Sequence, residues 1–328
     1  MAIKGSGSSL SFSEIEAEFG ANGSRSLGAY RTSQNVGSLS NLPLDPGIPT
    51  SGTIKFSDFY SKRLNVVVDC HSGGSETRIV AKNDKWNNNN LTVVGGFRSK
   101  KEGGSRIIIN VNKEICSNKD ATTRCALRTG SWDATSLVQV DVGPSGRILG
   151  SGGNGGRGRN GIDGSAQAGF TGTSGLGIEV NNCTVNIGSG GIIRAGFGGG
   201  GGGGGSRQVD KGEDRRASGG GGGGGMGCPP GSGGPRGTTG SLGSDGSNGS
   251  ETAGGGGGSR GVNENQAYGG AGGSGGQAQG GAGAGNNAEN SGGAGGASGA
   301  AIRRTSGFSV SVNNSGTING STTATGVT

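Results

Sequence analysis

The chain has few of the residues that usually build a core or an active site. Only 28% of its 328 residues are hydrophobic, 4% are aromatic, and His71 is the one histidine. This composition excludes one large buried core. The H-E-x-x-H and phosphate-binding G-x-x-x-x-G-K-[ST] motifs are also missing. We therefore predict that the protein is not an enzyme.

Cysteine is scarce and scattered, without any C-x-x-C pair. The five cysteines are Cys70, Cys116, Cys125, Cys183 and Cys228. A zinc site needs several ligands at suitable spacing, and only one imidazole could join these thiols. We predict no metal and no cofactor, and interpret the cysteines as small buried hydrophobic residues or unpaired thiols.

No apolar run approaches the roughly 20 residues of a membrane span, and the start, MAIKGSGSSLSF, lacks the apolar core of a secretion signal. We therefore expect folding in a cytoplasm. The net charge is +7, but residues 196–299 hold six basic and seven acidic residues. A basic balance favours anionic surfaces such as polysaccharide. A single GGRGRNG sequence is too little to predict nucleic-acid binding.

Two similar phrases mark the N-terminal part, LSFSEIEAEFG at residues 10–20 and IKFSDFY at residues 54–60. Ser13 and Glu16 have capping-box spacing and Gly20 follows, which predicts a short helix. So short a helix is unstable alone and must dock through exposed apolar side chains, on its own domain or on another protein. The candidate anchors are Phe12, Ile15, Phe19, Phe56, Phe59 and Tyr60.

Short runs rich in β-branched residues follow, such as LNVVVDC, RIIINVN and LVQVDV, with polar turns between them. Strands at this spacing are typical of an antiparallel sandwich. We therefore predict a mainly β protein with an antiparallel, sandwich-like module over residues 63–150.

A repeat of the form V-x-[V/I/N]-x-x-x-G-x-I-x-[G/A] begins at Val140, Val185 and Val310. Each copy is typical of a strand, a tight turn and a short return strand. The copies can therefore stack their apolar rows into one set of sheets. Glycine-rich insertions at residues 151–175 and 196–308 separate them.

Glycine supplies 83 residues, including 47 of the 104 at residues 196–299. Uninterrupted runs occupy residues 198–205, 219–225 and 254–258. Collagen is excluded because it needs glycine at strictly every third residue and abundant proline, and only seven prolines are present. A flexible linker is disfavoured because the third repeat copy must return beside the second. We predict a bundle of polyglycine II helices that hydrogen-bond backbone to backbone.

Polar interruptions at residues 206–218, 226–253, 259–268 and 277–291 must emerge at the ends of such a bundle. They are either binding loops on a rigid scaffold or solvated turns. Their arginine, asparagine and glutamine side chains hydrogen-bond sugars, and a tyrosine offers a stacking face. The candidate receptor-binding residues are Arg207, Gln208, Lys211, Arg215, Arg216, Asn263, Asn265, Gln266, Tyr268, Asn286 and Asn287.

Four segments carry a family resemblance, namely SFSEIEAEFG, IPTSGTIKFSDFY, VGPSGRILGSGGNGG and GIIRAGFGGGGGGGG. They resemble glycine-rich tail-fibre and baseplate-associated virion proteins of large tailed phages. The glycine segment is similar to adhesins at long tail-fibre tips, which display variable loops on a polyglycine II sandwich. The resemblance implies a virion-attachment segment at residues 1–62, the β module at 63–150 and a glycine-rich receptor domain at 151–328.

The resemblance also implies the partners, namely other phage tail proteins and a host-surface polysaccharide or outer-membrane protein, with no nucleic acid. It implies synthesis in the host cytoplasm and a place in the virion tail. Oligomeric state stays open, between the homotrimer common among fibre proteins and a tip adhesin that acts singly. The alternative function is a purely structural tail or baseplate component. A third, ice binding, is disfavoured by the charged interruptions.

Overall fold

The computed structural model describes residues 3–19, 26–31, 34–36, 39–42, 45, 47–62, 65–70, 78–80, 106–117, 124–130, 136–161, 163–210, 213–262, 271–273, 275 and 291–327. Within these residues the protein is mainly β, with little helix. No helix in this part of the chain is long and apolar enough to cross a membrane.

The helices are α1 (Phe12–Phe19) and two 3-10 helices at Leu27–Arg31 and Phe56–Phe59. The strands are β1 (Gln34–Val36), β2 (Leu39–Leu42), β3 (Asn65–Cys70), β4 (Arg78–Val80), β5 (Arg106–Val111), β6 (Glu114–Cys116), β7 (Cys125–Arg128), β8 (Leu137–Val142), β9 (Arg147–Leu149), β10 (Ser174–Ile178), β11 (Cys183–Ile187), β12 (Ile192–Arg194), β13 (Ser206–Asp210), β14 (Glu213–Ala217), β15 (Ile302–Arg304), β16 (Val310–Asn314), β17 (Thr317–Asn319) and β18 (Ala324–Thr325).

Three parallel sheets form the body of the protein. Their strand orders are β16-β11-β8-β5-β3, β17-β12-β9-β6-β4 and β18-β15-β10-β7. The chain visits the sheets in turn, since β8, β9 and β10 follow one another and lie in the first, second and third sheet. Each strand pairs with its equivalent one coil later, and the other two sides of the coil supply the crossover that parallel pairing needs. The body is therefore a three-sided parallel β-helix.

The core of the β-helix lies on the inner faces of these sheets. Every second residue of β5 and β8 is buried. The register places Ile109 beside Val140 and Val140 beside Val185, so β-branched side chains form rows that run from coil to coil. Full burial of one such side chain stabilises by about 1.5–3 kcal/mol. The rows therefore hold successive coils together.

The antiparallel module predicted for residues 63–150 is wrong for the described strands. There β3, β5 and β8 pair in parallel, as do β4, β6 and β9. Short alternating strands bury one face in either arrangement, so the alternation carries no signal for pairing direction. The same sheets continue past residue 150, because β8 pairs with β11.

The stacking predicted from the repeat is confirmed, with one shift. Val140 pairs with Val185, and Ile193 pairs with Ile318, as the repeat aligns them. In the third copy, however, Val185 pairs with Val312 rather than with Val310. The turn from β16 to β17 is thus two residues shorter than the equivalent turn from β11 to β12 in the preceding coil.

The N-terminal residues form a small core of their own. Its buried members are Ile3, Ile15, Phe19, Tyr30, Ile48 and Phe59. The capping box lies two residues before the predicted one, because the Glu14 N–H donates to Ser11 Oγ (3.3 Å) and the Ser11 N–H donates to Glu14 Oε2 (2.8 Å). Helix α1 therefore begins at Phe12. An ion pair of 2.7 Å between Asp45 and Arg106 joins this unit to β5.

Candidate functional site

Both glycine-rich insertions leave the β-helix at the same corner. Residues 150–173 separate β9 from β10, and residues 195–301 separate β12 from β15, so each insertion lies between the second and the third sheet. Because β9 and β12 are neighbours in the second sheet, the two insertions start side by side. They form one body of extended glycine segments.

Hydrogen bonds of period three join these segments. Every third residue of 152–158 donates its N–H to residues 229–235, and the residue after each donates to residues 197–203, at 2.8–2.9 Å. Asn154, Arg157 and the preceding Ser151 accept N–H groups from residues 167–173 at 2.9–3.0 Å. Each turn of three residues thus contacts three different neighbours. Backbone hydrogen bonds thus join the segments along their length.

Residues 218–227, here called the central segment, are buried throughout and exchange backbone hydrogen bonds with neighbours on all sides. Those neighbours are residues 153–159, 197–203, 231–237, 241–250, 255–261 and Gly273. A Cβ on Gly222 would lie 2.0 Å from the carbonyl oxygen of Gly200, and one on Gly221 would lie 1.8 Å from that of Gly234. Because neighbouring backbones surround it on all sides, the central segment requires an uninterrupted run of glycine.

Outer segments carry less glycine because they have fewer neighbours. Gly231, Gly234 and Gly237 recur at every third position and donate their N–H groups to the central segment. Residues between them reach the surface, as Arg236 does. Residues 226–253 were predicted as an interruption at the bundle ends, and this is wrong, because residues 229–250 supply two further segments. The missed signal is the glycine at every third position.

The end of the bundle away from the β-helix carries an antiparallel hairpin, β13–β14, that brings together four candidate receptor-binding residues. Arg207 pairs with Arg216, and Gln208 pairs with Arg215. Arg207 is exposed, and the partly exposed Arg216 lies 3.4 Å from Asp163.

Turns from other segments surround this hairpin. The Ser241 N–H donates to the Arg216 carbonyl (3.0 Å), and the Thr238 N–H donates to Asn160 Oδ1 (2.7 Å). Leu242 and Val262 are exposed by 48% and 52%. We call the hairpin strands, residues 160, 161, 163 and 164, residues 238–242 and Val262 the distal surface. Its turns and apolar residues lack any motif in the sequence, and only the packing brings them together.

The other predicted receptor-binding residues lie outside the described part of the chain. These are Lys211, Asn263, Asn265, Gln266, Tyr268, Asn286 and Asn287. Gly261, two positions before Asn263 in the sequence, donates its N–H to the Ser218 carbonyl at the base of the hairpin (3.1 Å).

The predicted attachment residues are divided between core and surface. Ile15, Phe19 and Phe59 are fully buried in the N-terminal core, so these three dock on their own domain, one of the two alternatives that the sequence left open. Their aromatic and branched side chains pack on one another because the unit has few other apolar residues. Phe12 is half-buried and Phe56 is 40% exposed, with ring centroids 6.2 Å apart. Tyr60 donates its hydroxyl to the Ser8 carbonyl (2.7 Å).

The near end of the bundle docks on the outer face of the second sheet. Cys116 in β6 and Cys228 in the bundle form a disulfide, which corrects the prediction of unpaired thiols for these two. Arg147 pairs with the buried Glu114 at 2.9 Å. Burial, and then the nearby Arg147, lower the pKa of the Arg194 guanidinium. We call Glu114, Cys116, Arg147, Arg194 and Cys228 the junction.

The junction also contains the one cluster of potential metal ligands among the described residues, Glu114, Cys116 and Cys228. Both sulfur atoms are engaged in the disulfide. The other three cysteines, Cys70, Cys125 and Cys183, are buried outside this disulfide, as small hydrophobic residues would be.

The chain is similar to known phage proteins. The crystal structure of the gp37–gp38 adhesin tip complex of the long tail fibre of bacteriophage S16 is similar at 21% identity and a TM-score of 0.39, over 98% of this chain and 99% of that one. No curated protein sequence matches the chain. The family model of the phage tail fibre adhesin Gp38 matches residues 75–323. The chain therefore belongs to the phage tail fibre adhesin Gp38 family.

Proposed function

We propose that this virion protein is a non-enzymatic tail-fibre tip protein that recognises a host-surface receptor through its distal surface. The family supports a role in host attachment. The observation that carries the finer proposal is the position of the hairpin β13–β14. It lies at the end of the bundle opposite the junction, and the exposed Arg207 is in direct register with Arg216.

The glycine segments are a polyglycine II bundle in this proposal. Polyglycine II helices have three residues per turn, so successive residues face three directions. Hydrogen bonds of period three and a central segment with neighbours on all sides are the pattern expected of that packing. Fixing glycine costs more conformational entropy than fixing any other residue. Many backbone hydrogen bonds offset that cost and make the scaffold rigid.

A rigid scaffold with exposed turns is a common way to build a binding site. The distal surface combines two arginines of the hairpin with Leu242 and Val262, which are exposed large apolar side chains. Exposed apolar residues beside cationic ones suit a receptor that offers both apolar and acidic groups. An outer-membrane protein or an acidic polysaccharide has this chemistry. Nucleic acid is not expected as a partner.

Residues 1–62 form the virion-attachment segment in this proposal, and other tail proteins are their partners. The supporting observation is the exposed Phe56 beside the half-buried Phe12, close to a compact aromatic core. Such a pair offers an apolar anchor at low entropic cost, because the ring positions are already fixed. The chain acts singly or as a homotrimer, and the virion is assembled from protein made in the host cytoplasm.

The alternative is a structural tail component in which the distal surface contacts other virion subunits. Accessibility of that surface in assembled particles separates the two. An Arg207→Cys variant in the phage would be treated with a membrane-impermeant maleimide, as intact particles and as isolated chain. The native cysteines are buried or in the disulfide, so they give little background. Arg157→Cys, an exposed site on the side of the bundle, is the control.

Equal labelling at position 207 in particles and in isolated chain is expected for a receptor-binding tip. Protection of position 207 in particles, with position 157 still labelled, would contradict receptor recognition and favour the structural component.

A further inference from the structure

The bundle is tied to the β-helix where the two insertions leave it, after β9 and β12, and where they re-enter it, before β10 and β15. Close to these crossings, backbone hydrogen bonds of 2.8 Å and 2.9 Å within the bundle run from Cys228 to Gly150 and from Gly152 to Pro229. Cys116 and Cys228 add a covalent bond between positions 112 residues apart. The disulfide thus connects a strand of the second sheet with the turn that follows the central segment.

The disulfide is buried from solvent and lies beside an ion pair. Cys116, Leu149 and Cys228 are fully buried and form an apolar cluster. Glu114 Oε1 lies 3.5 Å from Cys116 Sγ and 3.6 Å from Cys228 Sγ, while its second oxygen pairs with Arg147. Small thiols and reductants reach such a bond only when the junction opens.

We propose that Cys116 and Cys228 are an oxidation-dependent lock that holds the glycine bundle on the β-helix. With both residues as thiols, the near end of the bundle separates from the second sheet at lower temperature. Once oxidised, the pair stays closed, because the bond is inaccessible in the native protein. The lock lets a chain made under reducing conditions become more stable after release into an oxidising medium.

The oxidation balances with a small-molecule disulfide as the oxidant. The thiolate of one cysteine, having lost its proton, attacks the small disulfide and displaces one small thiolate, which leaves a mixed disulfide. The second cysteine, also deprotonated, attacks the protein sulfur and displaces the second small thiolate. Two protein thiols are oxidised, one small disulfide is reduced to two thiols, and the two protons end on those products.

The other cysteines are not part of the lock. Cys70, Cys125 and Cys183 are buried in the β-helix. Burial raises the pKa of the Cys183 thiol to about 12, so its reactive thiolate is scarce at neutral pH. Cys183→Ala is therefore a matched control that removes a buried sulfur without touching the junction.

The test begins with full-length protein purified under reducing conditions and then warmed in oxidised glutathione towards its Tm, so that the junction opens and the buried thiols become accessible. After unfolding in denaturant, thiol titration should find five thiols before oxidation and three after it, with a peptide that links Cys116 to Cys228. The oxidised native protein should resist a mild reductant until denaturant is added. Five thiols after oxidation, or a different cysteine pair, would overturn the proposal.

Thermal unfolding measures the effect of the lock. Reduction should lower the Tm of the wild type and of Cys183→Ala by at least about 5 °C, since the bond closes a loop of more than 100 residues. A Cys116→Ala, Cys228→Ala double variant should have one Tm in both media. If that variant does not fold, the difference in Tm between the reduced and the oxidised wild type still tests the proposal. Equal Tm values in both media would overturn the lock, as would one zinc ion per chain on the reduced pair.

Discussion

A Cβ atom on Gly201 would lie 1.9 Å from the carbonyl oxygen of Gly293, a residue more than 90 positions later in the chain. Both belong to glycine segments that run side by side, and the Gly293 N–H donates to the Gly202 carbonyl (2.8 Å). The distance between the two backbones is therefore set by the lack of a side chain at position 201.

Gly201→Val should destabilise the bundle by at least about 3 kcal/mol, the upper part of the range for overpacked sites, because the obstructing atom is backbone and cannot rotate away. Gly256→Val is the matched control, since a Cβ there meets no atom of the described residues within 4 Å. It should change stability by no more than about 0.5 kcal/mol. Urea unfolding measures both. Equal losses in the two variants would contradict close backbone packing.

The core of the β-helix gives a second prediction. Ile193 is fully buried and pairs with Ile148 and Ile318 in the neighbouring coils. Ile193→Ala should cost about 2–5 kcal/mol of unfolding free energy through lost burial and the cavity left behind. Thr317→Ala, an exposed position on the adjacent strand, should cost less than about 0.5 kcal/mol. An Ile193→Ala protein as stable as the wild type would contradict the stacked rows.

The third prediction concerns acid. A hydrogen bond from Lys4, followed by hydrogen bonds from Ser11, lowers the Glu14 pKa from 4.5 to about 2. A lowered folded-state pKa stabilises fully above the unfolded value of about 4.5, and the contribution is lost as pH falls from there towards 2. Helix α1 should therefore loosen within that window. NMR titration of the Glu14 carboxyl carbon measures the pKa directly.

Lys4→Gln should raise the Glu14 midpoint towards 4.5, since it removes the ion pair of 2.5 Å. Lys55→Gln, which alters an exposed lysine outside that ion pair, should leave the midpoint near 2. A wild-type midpoint at 4.5 would show that the contact is absent in solution.

Much of the fold could be predicted from local patterns. The apolar alternation at Val140 and Val185 identified strands, and their common spacing identified the stacking. The pairing direction of the strands could not be predicted. Alternation shows only that one face of a strand is buried, and this holds for parallel and antiparallel sheets alike. The register shift at Val312 depends on a shorter turn, which the equal spacing of the repeat concealed.

The site was predicted less completely, because its parts come from distant positions. Arg207 and Arg216 are close in sequence and were predicted together, whereas Leu242 joins them only through packing of the outer segments. The disulfide is hidden for the same reason, as Cys116 and Cys228 are 112 residues apart and no spacing rule relates them.

Receptor recognition by the distal surface is tested most directly by the binding of purified chain to host cells. An Arg207→Ser, Arg216→Ser variant would be compared with the wild type and with Lys55→Ser, Arg304→Ser, which removes the same charge away from that surface. Circular dichroism would establish that all three are folded. We predict saturable binding that falls at least about tenfold, or 1.4 kcal/mol, in the hairpin variant alone. Equal binding by all three chains, or none by the wild type, would contradict the proposed receptor site.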